Sequence, residues 1–479
     1  MLFNSYTYCF VFLPLAWLGY FGLNRLGRLR LAAGFLALAS LVFYGWWDVR
    51  YVPLIVVSMT LNFFLARWLS DRKPDHLSRV GLAFGLVFNL GLLALFKYSD
   101  FIIANVNGVV PGAHWKLLHL GLPLGISFFT FQKVAYLIDS YRGETKGTPF
   151  VHYCLFVLFF PQLIAGPIVH HREALPQFAD VRRRKPWRLN IVRGLFLFSM
   201  GLFKKTVVAD SLAPWVHSGF DLLPGLTPLQ AWAASLAYTF QLYYDFSGYS
   251  DMALGAAALF NIKLPFNFNS PYQSLDIQEF WRRWHITLGR FLRDTIYLPL
   301  GGNRRGASRS ALNLMATFLL GGLWHGANWT FVAWGALHGA GQVCLRALRR
   351  AIPSKPLPKF WAVTFTFLFA HAGWVLFRAK DFGTAMRVFK AMLGQGAAPV
   401  AGVMGQLGAL NAVVNSTVHT LFTASLLFIA AWGAFEWRNS QRLMAALKPG
   451  WKAALWTVVL MALGILHMGK ASEFLYFNF

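Results

Sequence analysis

The feature that most constrains this chain is a series of apolar runs, each about as long as a bilayer is thick. They fall at residues 6–23, 31–47, 51–69, 80–98, 119–138, 189–209, 229–260, 360–377, 418–435 and 451–468. A helix needs roughly 17–25 mostly apolar residues to cross the hydrocarbon, and it must satisfy its own backbone hydrogen bonds there. Such a chain is expected to fold as an all-α integral membrane protein. Composition agrees, since 57% of the 479 residues are hydrophobic and 13% charged, about half the charged share of a soluble domain. Forty-six Phe and 19 Trp supply rings suited to lipid headgroup level. No polar stretch is long enough for a separate soluble unit, so a single multi-pass domain over 1–479 is expected.

The net charge of +26 raises nucleic acid as a partner, but the Lys and Arg residues cluster between apolar runs. The positive-inside rule produces that pattern, so no nucleic acid is expected, and the basic loops face membrane lipid headgroups instead. Arg25, Arg28 and Arg30 put the first loop inside; Arg67, Arg72, Lys73 and Arg79 mark the next internal loop; Arg142 and Lys146 follow the fifth run. Both termini then fall outside. The first run lacks a charged leader and a small-residue cleavage site, so it is expected to stay as a span. Cys9, Cys154 and Cys344 lie in apolar sequence, which supports neither a disulfide framework nor a metal site.

Two apolar stretches break the alternation. Residues 151–169 have basic residues at both ends, with Pro161, Gly166 and Pro167 in the middle. That suits a segment that enters and turns back around an interior cavity, the setting in which non-helical backbone is tolerated at membrane depth. Residues 311–345 repeat the anomaly, with Arg304, Arg305 and Arg309 before and Arg346, Arg349 and Arg350 after. Two helical arms joined at Gly321-Gly322-Leu323-Trp324-His325-Gly326-Ala327-Asn328 would satisfy both flanks and leave His325 at a helix break. Residues 261–310 are too polar to span. Their Phe280-Trp281-Arg282-Arg283-Trp284-His285 run fits an amphipathic helix at the cytoplasmic face.

His325 is the first candidate for chemistry. An ionisable side chain within a bilayer is costly and marks function by default. An imidazole kept from water favours its neutral form, which can accept a proton from a hydroxyl. The bland alternative is a core histidine bonded to a carbonyl. His285 sits among Trp281, Arg282, Arg283 and Trp284. It suits either catalysis beside a phosphate-bearing donor or an interface helix with snorkelling side chains. Asp245 and Asp251, in an otherwise apolar helix, read as a structural polar network, because buried carboxylates need partners. His338, His371 and His467 read as satisfied core residues. The tail Phe474-Leu475-Tyr476-Phe477-Asn478-Phe479 reads on its own as an interface anchor.

Taken together, Pro161-Gln162-Leu163-Ile164-Ala165-Gly166-Pro167, Tyr244-Asp245-Phe246-Ser247-Gly248-Tyr249-Ser250-Asp251, Phe280 to His285, Tyr297-Leu298-Pro299-Leu300-Gly301-Gly302-Asn303-Arg304 and Leu323-Trp324-His325-Gly326 resemble the membrane-bound O-acyltransferase family. The resemblance is to the branch of alginate and cellulose O-acetyltransferase membrane subunits, related to the teichoic acid D-alanyl transfer protein. It implies a ring of about 11–13 transmembrane helices, each needing roughly 20 apolar residues, with re-entrant segments around a thin centre and funnels from both sides. It implies catalytic roles for His325, His285 and Tyr476, and donor binding by Trp281, Arg282, Arg283 and Asn303. Phe474, Tyr476 and Phe479 fill the family's acyl-acceptor pattern Phe-x-Tyr-x-x-Phe. The donor implied is acetyl-CoA or another acyl thioester, with no bound cofactor and no metal. The partner implied is a periplasmic SGNH-type acetyltransferase at a bacterial inner membrane, and the final acceptor an exopolysaccharide of alginate or cellulose type. The alternatives are peptidoglycan or D-alanyl-type O-acylation, direct transfer by His325 without an acyl-tyrosine, and a secondary transporter, which would be expected to show internal repeats that this chain lacks.

Overall fold

Helices carry the described chain from end to end, and no strand occurs among the described residues of this computed structural model. The structure describes residues 1–164, 166–352, 357–399, 401–411, 416–469 and Leu475. Among the described residues, five helical stretches are long and apolar enough to cross a membrane: Thr7–Arg25, Val49–Asp71, His76–Val109, Lys359–Arg378 and Thr417–Glu436. Their large apolar side chains point outward, as Val87 and Phe428 do at about 70% exposure. A soluble protein would bury such faces; a multi-pass membrane protein presents them to lipid.

The chain groups into two compact units. One comprises residues 1–200, 249–265 and 447–461. Its first two helices, Leu13–Arg25 and Leu29–Gly45, turn at Gly27, whose φ of +72° lets the Arg28 amide reach back to the Leu23 carbonyl. That is a glycine stop, with exposed Arg25, Arg28 and Arg30 around it. Val52–Asp71 and His76–Val109 are stapled by a reciprocal amide pair, Asn62 with Asn89, at 2.7 and 3.2 Å, both fully buried. Interhelical side-chain bonds of this kind hold membrane helices where lipid is as apolar as the core.

The expected break near 151–169 is present. Phe150–Leu158 stops at Phe159, and a single turn, Phe160–Leu163, follows. The groups freed at the break find partners: the Phe160 amide donates to Ser40 Oγ at 3.2 Å, and Gln162 Nε2 donates to the Phe156 carbonyl at 2.6 Å. Gly125, at φ +69°, lets the neighbouring backbone in, since a Cβ there would meet the Leu163 carbonyl at 3.1 Å. Rings of Phe12, Phe43 and Phe260 close around Phe160.

The second unit comprises 201–248, 266–446 and 462–479. Its core is the hairpin of Gly306–His325 and Trp329–Ala351, as the flanking arginines predict. The arms approach closely at glycines, because a Cβ on Gly322 would sit 2.3 Å from the Phe331 carbonyl and one on Gly335 2.4 Å from that of Phe318. Asn328 caps the second arm by accepting from the Thr330 amide at 3.0 Å. The 261–310 region differs from the single amphipathic helix expected. Its Phe280-to-His285 run is divided between two short helices, Ile277–Arg283 and Ile286–Leu292, with a sharp break at Trp284-His285.

Candidate active site

His325 is the last residue of its helix, and Gly326 continues in extended conformation. The ring is 3% exposed. Trp324, Trp334 and Phe377 surround it edge-on, at centroid distances of 4.8, 5.0 and 4.9 Å. His325 also lines a cavity of about 480 Å³ within the second unit. Ligand sites span about 300–1,000 Å³. Trp281, Phe318 and Trp334 give the cavity apolar walls, while Arg282, Arg290, Arg293 and Arg346 give it guanidinium groups. The cavity thus combines an imidazole on an apolar wall with four guanidiniums, of which Arg293 is paired with Asp294 at 2.7 Å.

His285 is brought near by a different route. It starts the helix Ile286–Leu292 with φ +42° and ψ +54°, a left-handed conformation that non-glycine residues seldom adopt. The flanking backbone is pinned: the Ile286 amide donates to the Asn267 carbonyl at 2.9 Å, and Thr287 Oγ1 donates to Asn267 Oδ1 at 2.6 Å. The His285 ring is fully buried between Phe246, at 4.7 Å, and Trp324, at 6.1 Å. The Trp324 indole therefore contacts both histidines. His285 does not line the cavity.

The donor-binding candidates separate. Trp281 and Arg282 line the cavity. Arg283 turns away, pairs with Glu279 at 2.6 Å and reaches the carbonyls of Asn269 and Ser270. Asn303 is exposed on the turn before Gly306 and lies off the cavity lining. The helix that presents Trp281 and Arg282 is capped by Asp276, which accepts from the Gln278 and Glu279 amides at 2.7 and 2.8 Å and pairs with Arg349 at 2.8 Å. Partial burial raises the Asp276 carboxyl pKa. The Glu279 amide, Arg349 and the Gln278 amide outweigh that, leaving it below the ordinary carboxylate value.

His338 has a role the sequence did not reveal. It is fully buried, and its Nδ1 accepts from Trp281 Nε1 at 3.2 Å, fixing the indole that walls the cavity. His371 is a satisfied core residue, with Thr239 Oγ1 at 2.7 Å and Ser235 Oγ at 3.3 Å. His467 is partly exposed and bonded to the Leu463 carbonyl at 2.9 Å. Asp251 is buried, and Asp245 pairs with Lys205 at 2.5 Å. Phe474, Tyr476 and Phe479 lie outside the described residues.

In the first unit, Asp139 faces His170 Nε2 at 3.0 Å and His171 Nδ1 at 3.2 Å. These three residues have the composition of a metal-ligand set. His170 Nδ1 accepts from the Arg172 amide at 3.3 Å, and its Nε2 is the atom facing Asp139. The arrangement is that of a carboxylate clasped by imidazoles.

Residues 140–377 match the model of MBOAT, the membrane-bound O-acyltransferase family. The chain is 43% identical to the peptidoglycan O-acetyltransferase of Helicobacter pylori, over 100% of this chain and 98% of that one. It is 41% identical to the probable alginate O-acetylase AlgI of Azotobacter vinelandii, over 83% of this chain and 79% of the relative. A more distant relative is the teichoic acid D-alanyltransferase of Bacillus subtilis, 27% identical over 60% of this chain and 79% of that one.

Proposed function

This chain belongs to the membrane-bound O-acyltransferase family, and on that premise we propose that it moves an acetyl group from a cytoplasmic acetyl-CoA to the C-terminal Tyr476, for onward O-acetylation of a glycan outside a bacterial inner membrane. The observation that carries the reading is His325, set at a helix break on the wall of a cavity that also bears Arg282, Arg290, Arg293 and Arg346. The basic residues favour the cytoplasmic side for that mouth.

The donor's phosphates rest on the guanidiniums, and its thioester lies along the apolar walls toward His325. The imidazole takes the Tyr476 phenol proton, and the phenolate oxygen attacks the thioester carbonyl. The C–S bond breaks, the thiolate leaves with a proton as the free thiol, and the acetyl group stays on the tyrosine. A phenol of pKa about 10 is a leaving group not far from a thiol of about 8.5, so a tyrosyl ester keeps much of the donor's transfer potential. His285, behind Trp324, positions that indole and through it His325. A periplasmic SGNH-type enzyme then receives the group, with both termini of this chain on that side.

By name, one of the relatives is a peptidoglycan O-acetyltransferase and another a probable alginate O-acetylase. The peptidoglycan enzyme aligns along the entire chain and the alginate one along 83%, which favours a peptidoglycan-type glycan as the acceptor over alginate or cellulose. Mass spectrometry of the C-terminal peptide after incubation with labelled acetyl-CoA tests the scheme. A label on Tyr476 is expected. Unchanged glycan acetylation by the Tyr476→Phe variant would mean that His325 passes the group on directly. Ester content of isolated peptidoglycan, compared with and without the protein, identifies the polymer.

A further inference from the structure

Asp245, Lys205 and Asp210 form a buried cluster in the second unit that the transfer scheme does not use. Lys205 Nζ lies 2.5 Å from Asp245 Oδ1 and 2.8 Å from Asp210 Oδ1, with all three side chains at most 2% exposed. The other Asp245 oxygen, Oδ2, accepts the backbone N–H of Leu475 at 3.2 Å, across 230 residues of sequence. A polar network with only a structural task has no need of a residue from the chain end, yet this carboxylate holds one, next to Tyr476 in sequence.

We infer that Asp245, oriented by Lys205, is the dock for the C-terminal tail and a positioning residue for Tyr476, an inference that rests on the reading of Tyr476 as the acyl acceptor. A carboxylate binding a main-chain amide makes a charge-assisted hydrogen bond that does not depend on the side chain at that position. Consecutive Cα atoms are about 3.8 Å apart, so an anchored residue 475 restricts the reach of residue 476. The dock also adjoins the candidate active site. Phe246, the next residue after Asp245, meets the His285 ring at 4.7 Å, and His285 and His325 both contact Trp324. The Tyr244-to-Asp251 motif thereby gains a task besides helix packing.

The test follows acetylation of Tyr476 from labelled acetyl-CoA in the full-length protein. Leu475→Pro removes the amide proton and leaves both Asp245 and Tyr476 in place. A hydrogen bond to a charged group weighs enough that its initial rate should fall about tenfold or more, with the KM for acetyl-CoA unchanged. Leu475→Ala keeps the amide and should fall by less. Asp245→Asn keeps an oxygen that can accept the Leu475 N–H but loses the charge, so it should fall by less than the proline variant, and the double variant should be no slower than Leu475→Pro alone, because both substitutions act on one bond. A proline variant that acetylates Tyr476 at the wild-type rate, or losses that multiply in the double variant, overturns the dock while leaving the acceptor reading intact. Absence of label on Tyr476 in the wild-type protein overturns both. Should Asp245→Asn fail to fold, the proline variant still decides, because it alters only the tail.

Discussion

The segments 151–169 and 311–345 carry the same sequence signature and end in different structures. Both are apolar, both have basic residues on either flank, and both are interrupted by residues that break helices. In the first, the break at Phe159 is filled with rings: Phe178 lies 5.4 Å from Phe159, and Phe12 lies 5.1 Å from Phe160. In the second, the break carries an imidazole that lines a cavity. Flank charge and breakers locate where the helix fails. A titratable group at the failure makes it a site. The sharpest way to break this contrast is His325→Gln, which keeps the volume and polarity but not the basicity. Removal of a general base costs roughly 10²–10⁴-fold, so transfer from labelled acetyl-CoA should fall by that order while the melting temperature in detergent stays near wild type. A variant that retains more than about a tenth of wild-type turnover would put the two breaks in the same class.

The converse variant is Phe160→Ala. Phe160 is fully buried against Phe12, Phe43 and Phe260. In water a Phe→Ala cavity costs about 3–5 kcal/mol. Inside a lipid-embedded protein the transfer part shrinks, because lipid is itself apolar, and the packing part remains. A loss on the order of 2 kcal/mol is expected, read as a lower thermal midpoint in detergent. Activity per folded molecule, measured well below that midpoint, should be preserved. Loss of turnover without loss of stability would assign the first break to the chemistry as well.

The sequence yields the helical class, both breaks and His325 at one of them, because charge, breakers and hydropathy are local. It does not yield what long-range contacts decide. The apolar run at 80–98 continues as one helix from His76 to Val109, because Lys97 and Asp100 lower hydropathy without breaking a helix. Asp100 instead accepts from the Leu118 amide at 2.7 Å, and the Tyr51 hydroxyl donates to the Gly121 carbonyl. These contacts hold the approach to Ile126 outside helical geometry, so that helix starts later than the 119–138 run suggests. The left-handed turn at His285 depends on Asn267, 18 residues upstream, and cannot be read from Trp284-His285. His338 looks like any lone histidine until Trp281 is found on it. Asp139 meets His170 and His171 across about 30 residues of chain, a distance no local spacing rule covers.

The cavity side of the contrast is sharpened by its charges. Arg282 is exposed on the lining, whereas its neighbour Arg283 is tied to Glu279. Arg282→Glu puts a negative group where the proposed transfer scheme needs a positive one for the donor's phosphates. With single exposed charge contacts worth about 1 kcal/mol, the reversal should raise the KM for acetyl-CoA about tenfold with kcat nearly intact. The same reversal at Arg283 should chiefly loosen its short helix. Added salt should narrow the gap between wild type and Arg282→Glu, since screening weakens exposed charges most.

The smallest expected effect concerns the wall itself. Trp281 is held by its Nε1–H donating to His338 Nδ1, and it packs edge-on against Phe318 and Trp334 at 5.1 and 5.7 Å. Trp281→Phe keeps an aromatic wall but deletes the donor and leaves the buried His338 nitrogen without it. A neutral hydrogen bond of this kind is worth about 1 kcal/mol, which corresponds to a change of about fivefold. If the indole only shapes the cavity, that change should appear in the KM for acetyl-CoA, with kcat and the stability of the folded protein little altered. If the bond instead holds the hairpin together, the thermal midpoint should fall and KM should not. His338→Phe, which removes the acceptor, should then reproduce the same split, and opposite splits in the two variants would show that Trp281 and His338 do not act as one wall.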